Sequence, residues 1–227
     1  MTNKNKCGLF ITFEGGDGSG KSGQSDMLFS RLTDAYPNIL ITKTREPGGS
    51  EGAELIRKML LVGDPDRWYP VSEMLLFYAA RYDNWRRRIL PALMQNGIVI
   101  CDRFFDSSIV YQGFGLGLPE KFFNAIHEMF DLPVASSCQQ ARSFIPDRTY
   151  ILDIDPVKGI SRSNIRQVDD AEKEDRFEQI DINFHEKIRH GYLKICEQNP
   201  ERCILIDASM SVEQIHESIW NDIKRYI

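Results

Sequence analysis

Residues 15–22 read Gly-Gly-Asp-Gly-Ser-Gly-Lys-Ser, and both the residue types and their spacing suit phosphate chemistry. Gly15, Gly16, Gly18 and Gly20 permit turns that aim backbone N–H groups inward at phosphate oxygens. A helix opening at Lys21 would add the positive end of its dipole. Asp17 and Ser19 occupy the loop between the glycines, Lys21 is spaced to reach a transferring phosphate, and the Ser22 hydroxyl can ligate Mg2+. A plain glycine-rich turn would explain the glycines alone. It would not explain the strand-like run Leu9, Phe10, Ile11, Phe13 before the loop, or the helically spaced Met27, Leu28 and Leu32 after it.

A second cluster lies at 98–103, Ile-Val-Ile-Cys-Asp-Arg, a buried strand ending in an acid and a base. Ligands of parallel α/β sheets collect at the carboxyl ends of strands, so Asp102 is expected near the metal and phosphates, and Arg103 near a second anion. A strand-capping ion pair is the structural alternative. Asp153 and Asp155 close another strand and compete for the metal role, ranking lower because Pro156 and a helix follow at once. Thr-Arg-Glu-Pro-Gly-Gly at 44–49 forms a fixed turn that presents Arg45 and Glu46 at the same edge, with Arg57 further along. Phe77 and Arg81 share one helix face, where a ring and a guanidinium can stack on and hydrogen-bond a planar base, although such a Phe equally serves a core. Residues 167–175, QVDDAEKED, lie between helical segments carrying Arg162, Arg166 and Arg176. They read either as a solvated loop or as a lid whose arginines fold onto phosphates.

These residues need a frame. Strand-like runs occur at Leu9–Phe13, Ile39–Thr42, Ile98–Cys101, Tyr150–Ile154 and Cys203–Ile206. Helical periods fill the intervals: Lys21–Ala35, Glu54–Leu61, Val71–Gln95, Pro119–Phe130, Val157–Arg166, Phe177–Glu197 and Val212–Ile227. This alternation predicts an α/β fold, a five-stranded parallel sheet with helices on both faces. A chain of 227 residues fits one such domain, 1–227, with room for a mobile subregion, which on the lid reading of the acidic stretch spans about 160–177. A net charge of −5 argues against a general nucleic-acid or membrane-surface binder. The five cysteines lack zinc spacing, and Cys101 and Cys203 adjoin strand-like runs, so buried thiols in a reducing compartment are expected. The apolar run before Glu14 is too short for a signal peptide and no window approaches a membrane span, which points to the cytoplasm.

Taken in order, FEGGDGSGKS, TREPGGS with Glu54 and Arg57, LLFYAAR, DRFFDSSIVYQG, PDRTYILDID, SRSNIR, DRFE and FHEKIRHGYL resemble bacterial-type thymidylate kinases, from about residue 8 to the C-terminus. The resemblance implies phosphorylation of dTMP to dTDP by ATP with Mg2+, a P-loop kinase fold with a flexible lid, and a homodimer built from helices flanking the sheet. It implies that Lys21 and the loop from Gly15 to Ser22 hold the donor phosphates, with Ser22 on the metal and Asp102 positioning it through water. Asp17 would lie near the acceptor sugar and metal, Arg103 and Arg57 on the acceptor 5′-phosphate, and Glu46 close to the sugar and phosphate. Phe77 would stack on thymine, Arg81 and Gln112 would hydrogen-bond its edge with Ser108 nearby, and Tyr111 would crowd a 2′-hydroxyl. Some members carry an arginine in the loop after the acidic residue. Gly18 stands there in this chain, so the lid would supply the catalytic arginine, Arg162 or Arg166, with Arg176 as a third candidate or a salt-bridge partner.

The departures are Gly23 where Thr or Ser is usual, a long stretch around Ser136–Ser143, and the long acidic lid insert. No histidine is assigned a role, because an acceptor phosphate oxygen needs no strong base. A nucleotide-dependent switch would carry an N-K-x-D motif, which the chain lacks. Another acceptor remains possible on these residues, since one methyl group discriminates by only ~1–3 kcal/mol.

Overall fold

The computed structural model describes residues 8–64, 66–130, 143–166, 176–177 and 180–227, with only the backbone described at 164–166. The chain runs through β1 (Leu9–Glu14), α1 (Lys21–Ala35), β2 (Ile41–Arg45), α2 (Glu51–Leu61) and α3 (Pro70–Asn84), then α4 (Leu90–Met94), β3 (Ile98–Asp102), α5 (Phe105–Ser108) and α6 (Glu120–Phe130). It closes with β4 (Arg148–Asp153), α7 (Pro156–Arg166), α8 (Ile182–Gln198), β5 (Cys203–Asp207) and α9 (Val212–Ile223). The strands form the expected five-stranded sheet in the order β2-β3-β1-β4-β5, and every pairing is parallel.

Alternation along the strands divides the core into two layers. Ile11, Phe13 and Ile100 face Leu28 and Leu32 of α1 and Ile215, Ile219 and Ile223 of α9. Phe10, Val99 and Cys101 face the opposite way, onto Trp85, Ile89, Leu93 and Phe104. Burial on both faces is why these strands read as continuous apolar runs.

The helical run predicted over Val71–Gln95 is broken. Between α3 and α4 it widens into π-helical turns at Trp85–Ile89. Pro91 explains this: it has no N–H to donate and its ring crowds the preceding turn. A helix predicted from Phe177 begins only at Ile182, where the Asp181 side chain caps it by accepting from the Phe184 N–H. That delayed start leaves Arg176 and Phe177 outside any helix.

Register positions the site. Phe13 and Arg45 both sit opposite Asp102 on β3, one from each side. The loops leaving β1, β2 and β3 therefore emerge side by side, carrying the glycine loop, Glu46 and Arg103. The chain crosses from β3 to β4 on the far side of β1, so this is also where the strand order reverses and a crevice opens.

Candidate active site

The glycine loop curls over the end of β1 and enters α1 through Gly20, whose φ is 93°. Buried Lys21 folds back into the loop, donating from Nζ to Gly16 O at 2.7 Å and to Ser19 Oγ at 3.3 Å. Burial, with repulsion from Arg103 behind it, lowers the Lys21 ammonium to about 8. Ser22 Oγ donates to Asp102 Oδ2 at 2.5 Å. A hydroxyl and a carboxylate so placed are hard oxygen donors of the kind Mg2+ takes alongside waters and substrate phosphates. No group of three or more acidic, His or Cys side chains able to hold a metal occurs among the described residues. Ser22 and Asp102 thus fit a cation bound largely through a phosphate ligand. The competing acids are engaged elsewhere: Asp153 in a two-point pair with Arg189, and Asp155 with the Lys158 N–H of α7.

Arg103 joins the donor side to the rest of the cleft. Its φ of 67° is a left-handed value that costs a non-glycine residue roughly 1–3 kcal/mol. Its own N–H, bonded to Phe13 O at 2.9 Å, helps to hold it there. The guanidinium reaches Asp17 Oδ1 at 2.5 Å, Gly15 O and Ser107 Oγ at 3.1 Å, and the hydroxyls of Tyr192 at 3.1 Å and Tyr111 at 3.2 Å. Burial alone would raise the Asp17 carboxyl, but Arg103 and Lys21 outweigh it and hold it below the usual range. Tyr111 completes the triangle, donating to Asp17 Oδ2 at 3.2 Å.

Beneath this layer lies Glu14, fully buried at the end of β1 and given no role by the sequence reading. It accepts from the Phe104 N–H at 2.7 Å, Ser107 Oγ at 2.6 Å and Tyr192 OH at 3.1 Å. Ser107 and Tyr192 are themselves partners of Arg103, so Glu14 fixes the floor on which that guanidinium rests. Burial first, and the Asp106 charge second, raise its carboxyl to about 7.

The cleft beyond encloses about 390 Å3 and brings together Lys21, Ser22, Glu46, Arg57, Phe77, Arg81, Asp102, Arg103, Ser108, Tyr111 and Gln112. Arg81, 2% exposed, donates to Glu46 Oε2 at 2.6 Å, Ser108 Oγ at 2.9 Å and Phe104 O at 3.0 Å. Burial raises the Glu46 carboxyl despite the facing Arg81. Arg57 donates to Pro47 O at 2.7 Å. Gln112 donates to Glu73 Oε1 at 2.8 Å. Phe177 also lines the cleft, its ring 6.1 Å from that of Phe77 and 5.5 Å from that of Tyr111. Sequence reasoning took Phe177 for the start of a helix. The DRFE motif was its only signal.

Arg162 stands apart: it is exposed and donates to Ala208 O at 3.1 Å, while its neighbour Ser163 lines the cleft. The Arg166 side chain, the lid insert at 167–175 and the stretch 136–142 lie outside the described residues. Arg176 is buried against Glu73, with further bonds to Leu60 O and Asp64 O, which is the salt-bridge alternative of the two readings open for it. Gly18 has φ 72°, and a Cβ there would lie 1.9 Å from Gly159 O of α7, so an arginine has no room in this loop. No histidine lines the cleft, and His127 is occupied by the Tyr78 hydroxyl at 2.7 Å.

A parallel sheet with a phosphate-type glycine loop at its reversal point, facing a base-sized cleft, defines a P-loop nucleotide kinase fold. The thymidylate kinase family model matches residues 13–219. A thymidylate kinase from Caulobacter vibrioides is 41% identical over 212 residues, covering 93% of this chain and 94% of that relative. One from Wolbachia of Brugia malayi is 38% identical, covering 95% of each. The crystal structure of a thymidylate kinase from Ehrlichia chaffeensis superposes with a TM-score of 0.72 at 31% identity, over 95% of this chain and 98% of that one. The chain belongs to the thymidylate kinase family.

Proposed function

We propose that this protein transfers the γ-phosphoryl group of ATP to the 5′-phosphate of dTMP, giving ADP and dTDP, with Mg2+ as the metal. One observation carries the reading: a single cleft is lined both by the phosphate loop and by the aromatic and amide side chains suited to a pyrimidine. In the transfer, an acceptor phosphate oxygen bonds to the γ-phosphorus as the bond to the β-bridging oxygen breaks. The loop amides from Gly15 to Ser22 and the Lys21 ammonium hold the donor phosphates. Arg103 and Arg57 hold the acceptor phosphate and keep the oxygens in line, and Asp17 keeps the Arg103 guanidinium aimed. Mg2+ held at Ser22, with Asp102 acting through its water shell, would neutralise charge on the bridging phosphates. Phe77 stacks on the base, Arg81 and Gln112 bind its edge with Ser108 behind them, Glu46 braces Arg81, and Tyr111 fills the space a 2′-hydroxyl would need. Arg162 and Arg166 serve as lid cations. For Arg162 this means exchanging Ala208 O for a phosphate oxygen.

A coupled ADP-release assay with Mg-ATP and dTMP, dUMP, dCMP, dGMP and UMP tests the reading. Preference for dTMP in wild type, with turnover of every acceptor falling steeply in Lys21→Ala and Arg103→Ala, is the expected result. Faster turnover of another acceptor would overturn the pocket assignment.

The proposal extends to a cytoplasmic homodimer. Cys101 and Cys203 are buried free thiols, as a reducing compartment allows, and no helix among the described residues is long and apolar enough to cross a membrane. Val71 and Leu75 on α3, and Phe122 and Met129 on α6, expose apolar side chains fit for a partner subunit.

A further inference from the structure

Glu73 belongs to no motif of the sequence reading, yet it has no solvent exposure and sits between two elements of the cleft. One carboxylate oxygen accepts from Gln112 Nε2 at 2.8 Å, and the other faces Arg176 Nη2 at 2.5 Å. Gln112 and Arg176 are themselves buried, at 1% and 2% exposure. An amide can present either its NH2 or its carbonyl oxygen to a neighbour, and the chemistry of that neighbour decides between them. A carboxylate paired with a guanidinium offers only acceptor oxygens. It therefore fixes Gln112 with its NH2 toward Glu73 and its carbonyl oxygen turned away.

We infer that Glu73 is a specificity-determining positioning residue, which sets the Gln112 amide so that the cleft receives a hydrogen-bond acceptor opposite N3 of the base. The inference rests on the pyrimidine monophosphate reading above and deepens it. A 4-oxo pyrimidine presents an N3–H donor, which that oxygen accepts. A 4-amino pyrimidine presents a bare N3 acceptor, which the same oxygen repels. Specificity here comes from the mismatch as much as from the match. Arg176 contributes through Glu73. Having only donors, it would claim the oxygen of a glutamine placed at 73 and turn that glutamine's NH2 toward Gln112. The Gln112 amide would then reverse.

The test is the ratio of kcat/KM for dTMP to that for dCMP in wild type, Glu73→Gln, Gln112→Leu and the double variant. Glu73→Gln is expected to lower the ratio about tenfold, part of it through faster dCMP turnover, which simple loss of structure would not give. In the Gln112→Leu background the same change should move the ratio less than about twofold, because the amide it acts through is gone. A folded Glu73→Gln enzyme with an unchanged ratio overturns the inference. So does an equal fall in both backgrounds. If Glu73→Gln fails to fold, Glu73→Leu with Arg176→Met removes both charges and leaves the Gln112 NH2 without the acceptor that holds it. Its ratio should still fall, and an unchanged one is again fatal. Wild-type protein that phosphorylates neither nucleotide would overturn the acceptor reading itself, and this inference with it. A wild-type dTMP preference kept by the variants overturns the inference alone.

Discussion

Two buried ionisable residues predict how the site should respond to pH. Lys21, lowered to about 8 chiefly by burial, is cationic in the free enzyme below that pH and neutral above it. In the role proposed for Lys21, capture of ATP phosphates needs the cation. kcat/KM for ATP should therefore fall about tenfold per pH unit above roughly pH 8. At saturating ATP the bound phosphates favour the ammonium, so kcat should hold to higher pH. Parallel decline of both profiles would count against Lys21 as the titrating group. Lys21→Ala should lose about 10²–10³ in kcat at neutral pH, the usual cost of removing a group that stabilises transition-state charge. Glu14 titrates in the opposite sense. Its carboxyl is raised from 4.5 to about 7, so between those values the folded protein holds a proton that the unfolded chain has released. Stability from this group is full below about pH 4.5 and is lost as pH rises through about 7. Glu14→Gln removes the titration. The melting temperature of that variant relative to wild type should climb between about pH 4.5 and pH 7 and then level off, and melts in matched buffers would expose a flat difference.

At the scale of elements, the loop and α7 are fitted to each other through two glycines. The carbonyl of Gly159 occupies the place where a Cβ on Gly18 would sit, and a backbone atom cannot swing aside as a flexible side chain does. Gly18→Ala should therefore cost roughly 1–3 kcal/mol and raise KM for ATP, with Gly18→Arg worse on both counts. Denaturant melts and ATP titrations check this, and an alanine variant of wild-type stability would contradict the packing. The sequence declared the loop because its function requires fixed residue types at fixed spacing. The strands were legible too, since burial on both faces writes an unbroken apolar run between turn residues. The break at Trp85–Ile89 was not, because Pro91 acts on the turn before it while the apolar spacing continues through both. Phe177 was misassigned to a helix because what holds it and its neighbour Arg176 comes from distant parts of the chain: the rings of Phe77 and Tyr111 for the one, Glu73 and the carbonyls of Leu60 and Asp64 for the other. A local period carries no trace of such a contact.

At the scale of the molecule, α3 faces two ways. Met74 and Tyr78 pack inward on Phe123 of α6, and Phe77 and Arg81 serve the cleft. Val71 and Leu75 point to solvent, Leu75 at 53% exposure, as does Met129 on α6 at 65%. Apolar side chains on two mutually packed helices are costly to leave wet when a symmetric partner can cover them. The helix that would form the subunit contact is therefore also the helix whose Phe77 and Arg81 line the cleft and are proposed to bind the base. This makes a sharp separation possible. Leu75→Glu places a charge on the outer face without touching the inward residues, and in a two-fold interface it places a second like charge near the first. Light scattering after size exclusion should show wild type at twice the chain mass of 26.2 kDa and Leu75→Glu shifted toward a single chain. If α3 keeps its inner packing, dTMP binding by the monomeric variant should weaken by less than about tenfold, because Phe77 and Arg81 are still held from within. A variant that remains a dimer places the interface elsewhere. A monomer that loses dTMP binding altogether would show that the partner subunit, and not the core beneath α3, holds the base-binding face in place.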